Sequence, residues 1–228
     1  MDKLRMKFSK TGRAVYISHL DLMRTITRAF MRSEIPLKYS EGFNPHPNIS
    51  IALPLSVGCE SVCEIMDFRL RTELEPEDIL TALRVQMPEG IEVLDVYASE
   101  RKVKDIKWLS VSGVFEYDER SAEDMLPELE RFFASESIVI SKRTKRGVSD
   151  TDIKPAIKSL DFGACDGGVA LNAVISAQEP TLNPELLVSA LTQLEPKIAP
   201  DFAKFRRIQV FDAGMQVFRQ NVKNKLQK

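Results

Sequence analysis

The first strand and the first helix of the protein are encoded in KLRMKFSKTGRAVYISHLDLMRTITRAFMR, residues 3–32, and this stretch decides the fold. From Lys3 to Ser9, apolar residues alternate with basic ones, and this period of two predicts a half-buried strand. From Ser18 onward, apolar residues recur every three or four positions, which predicts an amphipathic helix. The Ser18 oxygen can accept a hydrogen bond from an early amide, and Asp21 can reach back as in a capping box.

The rest of the first hundred residues continues with short strands and one more helix. Extended segments are predicted at residues 37–40, 49–53, 62–70 and 91–98. The second helix begins at Pro76 and stops before Pro88-Glu89-Gly90. The main order is strand, helix, strand, strand, helix, strand, in which two helices cover one face of an antiparallel sheet. The sequence therefore predicts an α+β, ferredoxin-like domain over residues 1–100.

The second half of the chain repeats this order loosely. Extended segments are predicted at residues 107–117, 137–142, 148–157, 169–176 and 205–211, and helices at residues 122–133 and 183–194. The polar stretch between Glu100 and Lys107 is the predicted boundary, so a second ferredoxin-like (βαββαβ) domain is expected over residues 107–212. Residues 213–228 have few apolar anchors and are expected to form a polar C-terminal tail.

The composition excludes several classes of protein. With 228 residues, 43% hydrophobic and 29% charged, the chain has apolar mass for one large or two small cores, which excludes disorder and collagen-like repetition. Three cysteines cannot form a closed disulfide set, and the N-terminal residues lack the apolar region of a secretory signal, so a cytoplasmic location is expected. No apolar run approaches the roughly 18 to 20 residues that span a bilayer, so no membrane partner is expected.

The net charge of -1 means that affinity for nucleic acid has to come from a local patch. Residues 1–50 hold nine basic and four acidic side chains, whereas residues 51–100 hold three and eleven. Arg24, Arg28 and Arg32 recur every four residues and so form one stripe on the first predicted helix, which is either a ligand contact or a solvated face. A second basic cluster is expected to contact RNA phosphates and comprises Lys142, Arg143, Lys145 and Arg146.

Three blocks in the first third of the chain resemble one family. They are ISHLDLMR at residues 17–24, YSEGFNPHP at residues 39–47 and PLSVGCES at residues 54–61. The blocks and their spacing resemble the radical-SAM-associated protein family of uncharacterised function, in which this domain is a separate small protein or is fused behind a radical S-adenosylmethionine enzyme. The resemblance implies an accessory or substrate-handling role with such an enzyme as partner, and it names no reaction.

The chain itself lacks the ligand set of a radical S-adenosylmethionine enzyme. Such a site holds its four-iron cluster by three cysteines in the spacing C-x-x-x-C-x-x-C, which leaves one iron free for the cofactor. Cys59 and Cys63 fit the first spacing, but the third position is Met66, and Cys165 lies far along the chain. No iron–sulfur cluster and no other cofactor is therefore predicted.

Both histidines of the chain, His19 and His46, lie inside the resembling blocks. His19 falls in the first turn of the helix, where exposed amides favour an anion, and His46 stands between two prolines that stiffen its loop. A ligand-binding surface is therefore predicted, comprising His19, Asp21, Arg24, Arg28, Asn44 and His46. In this prediction the helix start lies next to the loop, so that His19, Asn44 and His46 line one concave surface.

A metal site is an alternative use of the same histidines. Together with Cys59 and Cys63 they could supply two nitrogen and two sulfur ligands for zinc, although the spacing is not that of a zinc finger. The plainer interpretation is that His19 caps the helix and that Cys63 is a small buried hydrophobe. The sequence leaves these interpretations open, and no metal is part of the leading hypothesis.

Signatures of the common enzyme classes are missing from the sequence, which has no phosphate loop, serine elbow or dinucleotide fingerprint. RTKRGV at residues 143–148 looks superficially like the catalytic R-T-D-x-G-V of pseudouridine synthases, but Lys145 replaces the aspartate. The leading hypothesis is a non-catalytic accessory or substrate-binding partner of a radical S-adenosylmethionine enzyme that contacts RNA such as tRNA or rRNA. The alternative is a stand-alone RNA-modifying or metal-dependent enzyme that uses His19, Asp21 and His46.

Overall fold

The computed structural model describes residues 3–144 and 147–219. Within that range the chain forms two compact units, one of residues 3–105 with 217–219 and one of residues 106–144 with 147–216. Among these residues, no helix has the length and the apolar character needed to cross a membrane.

The first unit is a four-stranded antiparallel sheet with two helices on one face. Its elements are β1 (Leu4–Lys10), α1 (His19–Arg32), β2 (Ile49–Ile51), β3 (Glu60–Phe68), α2 (Pro76–Gln86) and β4 (Ile91–Ala98), and a 3₁₀ helix, Gly12–Tyr16, precedes α1. β1 pairs with both β3 and β4, and β2 pairs with β3, so the strand order is β4-β1-β3-β2. This is the ferredoxin-like arrangement that the sequence predicts.

The core of the first unit lies between this sheet and the two helices. Met6 and Phe8 of β1 are fully buried, because alternate residues of a strand point to the same face. They pack in one cluster with Phe30 of α1 and Phe68 of β3, whose rings meet edge to face with centroids 5.1 Å apart. Each buried side chain of this size stabilises the fold by roughly 1.5 to 3 kcal/mol, so this face holds the unit together.

Both helix starts of the first unit are confirmed. The Ser18 side-chain oxygen accepts a hydrogen bond from the Asp21 N–H at 3.2 Å, and α1 follows. The Asp21 carboxylate accepts a hydrogen bond from the Ser18 hydroxyl at 2.7 Å, rather than from the Ser18 N–H. α2 begins at Pro76, where the missing N–H costs nothing because a first-turn amide has no partner within the helix.

The predicted strand at residues 37–40 is wrong. This segment makes isolated bridges, from Leu37 to Leu70 and from Tyr39 to Pro47. Pro47 has no N–H to donate, so the second bridge cannot extend into a regular ladder. The segment therefore belongs to a loop region that is held by single backbone contacts.

The second unit repeats the order of the first, with a hairpin inserted. Its elements are β5 (Ile106–Glu116), α3 (Ala122–Phe133), β6 (Val139–Thr144), β7 (Gly147–Asp152), β8 (Ile157–Cys165), β9 (Gly168–Ser176), α4 (Glu185–Leu194) and β10 (Phe202–Asp212). β5 pairs with β9 and β10, and β8 pairs with β9, so the antiparallel order is β10-β5-β9-β8. β6 and β7 form a separate hairpin. The predicted fold class, α+β with two ferredoxin-like halves and antiparallel sheets, is confirmed.

Sequence reasoning misses β8, and the extended segment that it predicts at residues 148–157 corresponds to β7 and the residues that follow it. Asp161 and Gly163 are residues that strands disfavour, and they obscure the alternation around Phe162. The turn between β8 and β9 contains Gly167 at a φ of +90°, directly after an aspartate. Asp-Gly is a hairpin signal, so the sequence does carry the information that marks this strand.

The described end of the chain packs on the face of the first sheet opposite the helices. Phe218 is buried, with its ring centroid 5.2 Å from the Arg5 guanidinium and 4.6 Å from that of Arg101. Arg5 is also buried and donates two hydrogen bonds to Asp67, at 2.6 and 3.1 Å. Around Arg5 this face is therefore filled by the chain's own side chains. The rest of the predicted polar tail, residues 220–228, lies outside the described residues.

Candidate nucleic-acid interface

A basic cleft opens beyond the end of β3 in the first unit. Its volume is about 600 Å³, and the residues that line it are Lys38, Tyr39, Pro45, Arg69, Leu70 and Arg71. Three of the six are cations and one is aromatic, so the cleft combines positive charge with a flat ring. This combination suits a ligand that carries both phosphates and planar rings, as single-stranded nucleic acids do.

Backbone hydrogen bonds hold the three cations of the cleft side by side. The Lys38 N–H donates to the Arg69 carbonyl at 2.8 Å, and the Arg71 N–H donates to the Pro36 carbonyl at 2.8 Å. Arg69 and Arg71 flank Leu70, which is buried and bridges to the neighbouring segment. Since residues two apart in an extended segment share a face, the two guanidinium groups lie on the same side.

The positive charge of the cleft is not neutralised within the described part of the protein. Lys38, Arg69 and Arg71 are exposed, and among residues 3–144 and 147–219 none of them forms an ion pair. Elsewhere the protein does pair its cations, as in the Arg120 to Asp201 bridge at 2.9 Å. A bound phosphate would relieve the repulsion among the three cations and release counterions from the nucleic acid.

The loop of residues 41–45 borders the cleft and is closed at its base. The Ser40 N–H donates to the His46 carbonyl at 2.8 Å, and the His46 N–H donates to the Ser40 side-chain oxygen at 3.0 Å. The His46 Nδ1 lies 3.0 Å from the Ser40 oxygen and 3.3 Å from the Asn44 carbonyl oxygen. His46 and Asn44 therefore lock the loop, and Gly42, at a φ of +124°, allows its sharp bend.

Phe43 stands at the tip of this loop with its side chain fully exposed. The hydrogen bonds between Ser40 and His46 hold the two ends of the loop, and the core does not cover the ring. Sequence reasoning assigned no role to this residue.

The structure does not bring His19 and His46 together. β1 pairs Leu4 with Phe68 at one end and Lys10 with Ser61 at the other, and these ends are about 20 Å apart at 3.3 Å per residue. The loop of residues 41–45 belongs to the end that contains Phe68, because its neighbouring segment bridges to the residues after β3. The start of α1 belongs to the opposite end.

A buried lysine fixes the start of α1 at that opposite end. The Lys10 ammonium donates to the carbonyls of Val15 and Ile17 at 3.1 and 3.2 Å, immediately before the helix. Burial lowers the pKa of Lys10, and the nearby Glu64 and Cys59 act in the opposite direction. The predicted concave surface of His19, Asn44 and His46 is therefore wrong, and the alternative enzyme site of His19, Asp21 and His46 is not assembled.

The residues predicted on α1 have mainly structural contacts. The Ser18 hydroxyl first, and then Arg24, lower the pKa of the Asp21 carboxyl, and Arg24 forms an ion pair with it at 3.1 Å. Arg32 donates to the side-chain and backbone oxygens of Gln86. Arg28 is exposed, as is His19. The arginine stripe exists, but two of its three members are held by other residues of the chain, and ligand binding there stays a prediction.

The predicted zinc ligands are not assembled either. Cys59 and Cys63 are buried near the start of α1, whereas His46 lies at the other end of the sheet. Within the part of the chain that the structure describes, no group of three or more His, Cys, Asp or Glu residues could hold a metal ion. Cys63 matches its plainer interpretation as a small buried side chain, with its sulfur 3.8 Å from the Ser61 oxygen.

Two members of the second basic cluster, Lys142 and Arg143, lie on β6. Lys142 is half-buried on β6, and the backbone of Arg143 pairs with Val148. Lys145 and Arg146 lie outside the described residues. Contact of these four residues with RNA stays a prediction.

Lys38, Arg69 and Arg71 are the site residues that sequence reasoning missed. They come from two segments about thirty positions apart, and the predicted strands at residues 37–40 and 62–70 do not by themselves indicate that these segments are neighbours. The alternation of Arg69 and Arg71 around an apolar residue at the end of a predicted strand is the one signal that indicates a shared face.

The chain belongs to a family described as uncharacterized protein conserved in bacteria (DUF2344), whose model matches residues 3–184. The description of this family names neither radical S-adenosylmethionine enzymes nor any other partner. A comparison with the curated proteins gave no match.

Among solved structures, one chain of a Cbf5-Nop10-Gar1 complex is similar, with a TM-score of 0.50 and 12% identity over 91% of this chain and 48% of that chain. The protein thus spans about half the length of that chain, and at this identity the likeness concerns the α+β fold alone. An unknown protein from Galdieria sulphuraria matches at 9% identity over 90% of this chain and 98% of that chain, but its TM-score of 0.29 supports no inference.

Proposed function

We propose that the protein is a non-catalytic accessory protein that binds RNA through the basic cleft and serves a radical S-adenosylmethionine enzyme as partner. The observation that carries the RNA part is the cleft itself, where three cations without ion pairs among the described residues border an aromatic ring. The partner part rests on the three resembling sequence blocks.

An accessory role is favoured over an enzymatic one by the positions of the candidate acid–base groups. His19 and Asp21 lie toward one end of β1 and His46 toward the other, and these ends are about 20 Å apart, whereas general acid–base catalysis needs groups within hydrogen-bond reach of one substrate. The cleft contains no pair of carboxylates or histidines in its lining. Its chemistry is that of holding a phosphate-bearing chain.

RNA binding is tested with a cleft variant, Lys38→Gln, Arg69→Gln and Arg71→Gln combined. Fluorescence anisotropy with labelled tRNA and rRNA fragments should show affinity for the wild type at low salt and a loss of about tenfold or more for the variant. Because all three side chains are exposed, the melting temperature should not change.

A matched control variant removes three exposed cations elsewhere: Arg13→Gln, Lys104→Gln and Lys197→Gln. It changes the net charge by the same amount, so it should keep most of the affinity. Equal weakening by the cleft and control variants would show that binding follows overall charge, and the cleft would lose its assigned role.

The partner is tested by co-expression with the radical S-adenosylmethionine enzymes of the same organism, followed by size-exclusion chromatography with and without bound RNA. One of these enzymes should elute together with the protein. If none of them does under either condition, the partner part of the proposal is refuted while the RNA part stands on its own measurement.

A further inference from the structure

Phe43 gives the basic cleft a second recognition element. A single exposed apolar residue is ordinary by itself, but this one lies two positions from Pro45, which lines the cleft. The loop that carries it is tied at its base through Ser40 and His46. An exposed aromatic ring thus lies on the loop that borders the three cations of the cleft.

We propose that the cleft and Phe43 together bind an unpaired segment of RNA, with a phosphate between Lys38, Arg69 and Arg71 and a neighbouring base stacked on the Phe43 ring. This inference rests on the proposed RNA binding and adds the class of RNA that is bound.

The reach of the backbone supports this arrangement. Phe43 and Pro45 are two residues apart, so their Cα atoms are at most about 7 Å from each other. A nucleotide whose phosphate lies in the cleft therefore has its own base or the adjoining one within reach of the ring. Tyr39 lines the cleft and is partly exposed, so its ring could contact the same RNA segment.

Stacking on a side chain requires a base that is outside a double helix. In an A-form duplex the bases are paired and stacked on one another, and proteins contact chiefly phosphates and 2′-hydroxyls. The three cations can contact phosphates in both forms, whereas Phe43 can contribute to the unpaired form alone. The contributions of charge and ring can therefore be separated by experiment.

The test compares an RNA strand of about twelve nucleotides with the same strand annealed to its complement, by fluorescence anisotropy. Phe43→Ala should weaken binding of the unpaired strand by about 5- to 150-fold, the range for one base stacked on an aromatic ring, and leave duplex binding unchanged. Phe43→Trp keeps a stacking surface and should retain binding. Tyr16→Ala removes an exposed aromatic ring near the opposite end of the sheet and should change neither affinity.

Equal weakening of both RNA forms by Phe43→Ala, or no weakening of either, overturns the inference. The proposed function fails in a different way, because then the cleft variant binds RNA as well as the wild type does. If the cleft variant loses binding while Phe43→Ala does not, the cleft is the RNA site and the stacking part is wrong.

Discussion

Removal of the three cleft cations tests phosphate contact quantitatively, because the salt dependence of RNA affinity reports how many phosphates the protein neutralises. For single strands, each neutralised phosphate contributes about 0.7 to the slope of log K against log salt. In the variant that replaces Lys38, Arg69 and Arg71 by glutamine, the slope should therefore be shallower by about 0.7 if the cations share one phosphate. If each cation contacts its own phosphate, the difference should approach about 2.

These slopes translate into affinities that are easily measured. On raising the salt from about 50 to 200 mM, a slope difference of 0.7 corresponds to about a threefold greater loss of affinity for the wild type, and a difference of 2 to about 16-fold. Anisotropy titrations of an unpaired RNA at four salt concentrations give the slope for the wild type and for both variants.

Parallel lines for the wild type and the cleft variant would refute the reasoning, even if the variant binds more weakly. Such a result would mean that the substitutions act through the shape of the cleft and not through phosphate neutralisation. The control variant of Arg13, Lys104 and Lys197 should keep the wild-type slope, since none of its cations is among the residues that line the cleft.

Three further outcomes are expected. Asp67→Asn should lower the free energy of unfolding by about 3 to 5 kcal/mol in a denaturant titration, because it leaves the buried Arg5 charge without its counter-ion. The double variant with Arg5→Met should recover much of that loss, since it removes the buried charge as well. Ser18→Ala should cost about 1 kcal/mol of stability, as should Ser121→Ala at the matching cap of α3, without changing RNA affinity. Burial raises the pKa of Tyr117 to about 12, so the unfolded chain releases this proton near pH 10 while the folded protein keeps it. The free energy of unfolding should therefore fall as the pH rises from about 10 to 12, and it should fall less steeply in Tyr117→Phe.

The sequence suffices for the regular elements that have a strong period and a local cap. β1 and α1 follow from the residue spacing after Lys3 and from Ser18, because the apolar faces of both elements repeat regularly and the cap and hydrogen bonds of α1 are local. β8 is missed, because Asp161 and Gly163 have low strand propensity and the remaining signal is the Asp-Gly turn that joins this strand to β9. Tertiary contacts supply what the local pattern lacks.

The candidate site could not be predicted from the sequence, for a geometric reason. The assumption that the loop around His46 lies next to His19 neglects the length of α1, whose 14 residues carry the chain about 21 Å from its start. Lys38 and Arg69 become neighbours through isolated backbone contacts between two segments that form no regular ladder. Isolated contacts of this kind produce no repeating pattern of residues from which they could be predicted.

The three blocks that resemble the radical-SAM-associated family lie in two places, at opposite ends of the first sheet. Pro54–Ser61 and the residues that lead into Ile17–Arg24 lie at one end of the first sheet, where the Gly58 N–H donates to the Val15 carbonyl at 2.9 Å. Tyr39–Pro47 lies at the other end and forms one side of the basic cleft. Because the first two blocks build the start of α1, substitutions there should act on stability, whereas exposed positions of Tyr39–Pro47 should act on RNA affinity. A measurement of both quantities for each block therefore separates the framework of the fold from the surface that we propose binds RNA.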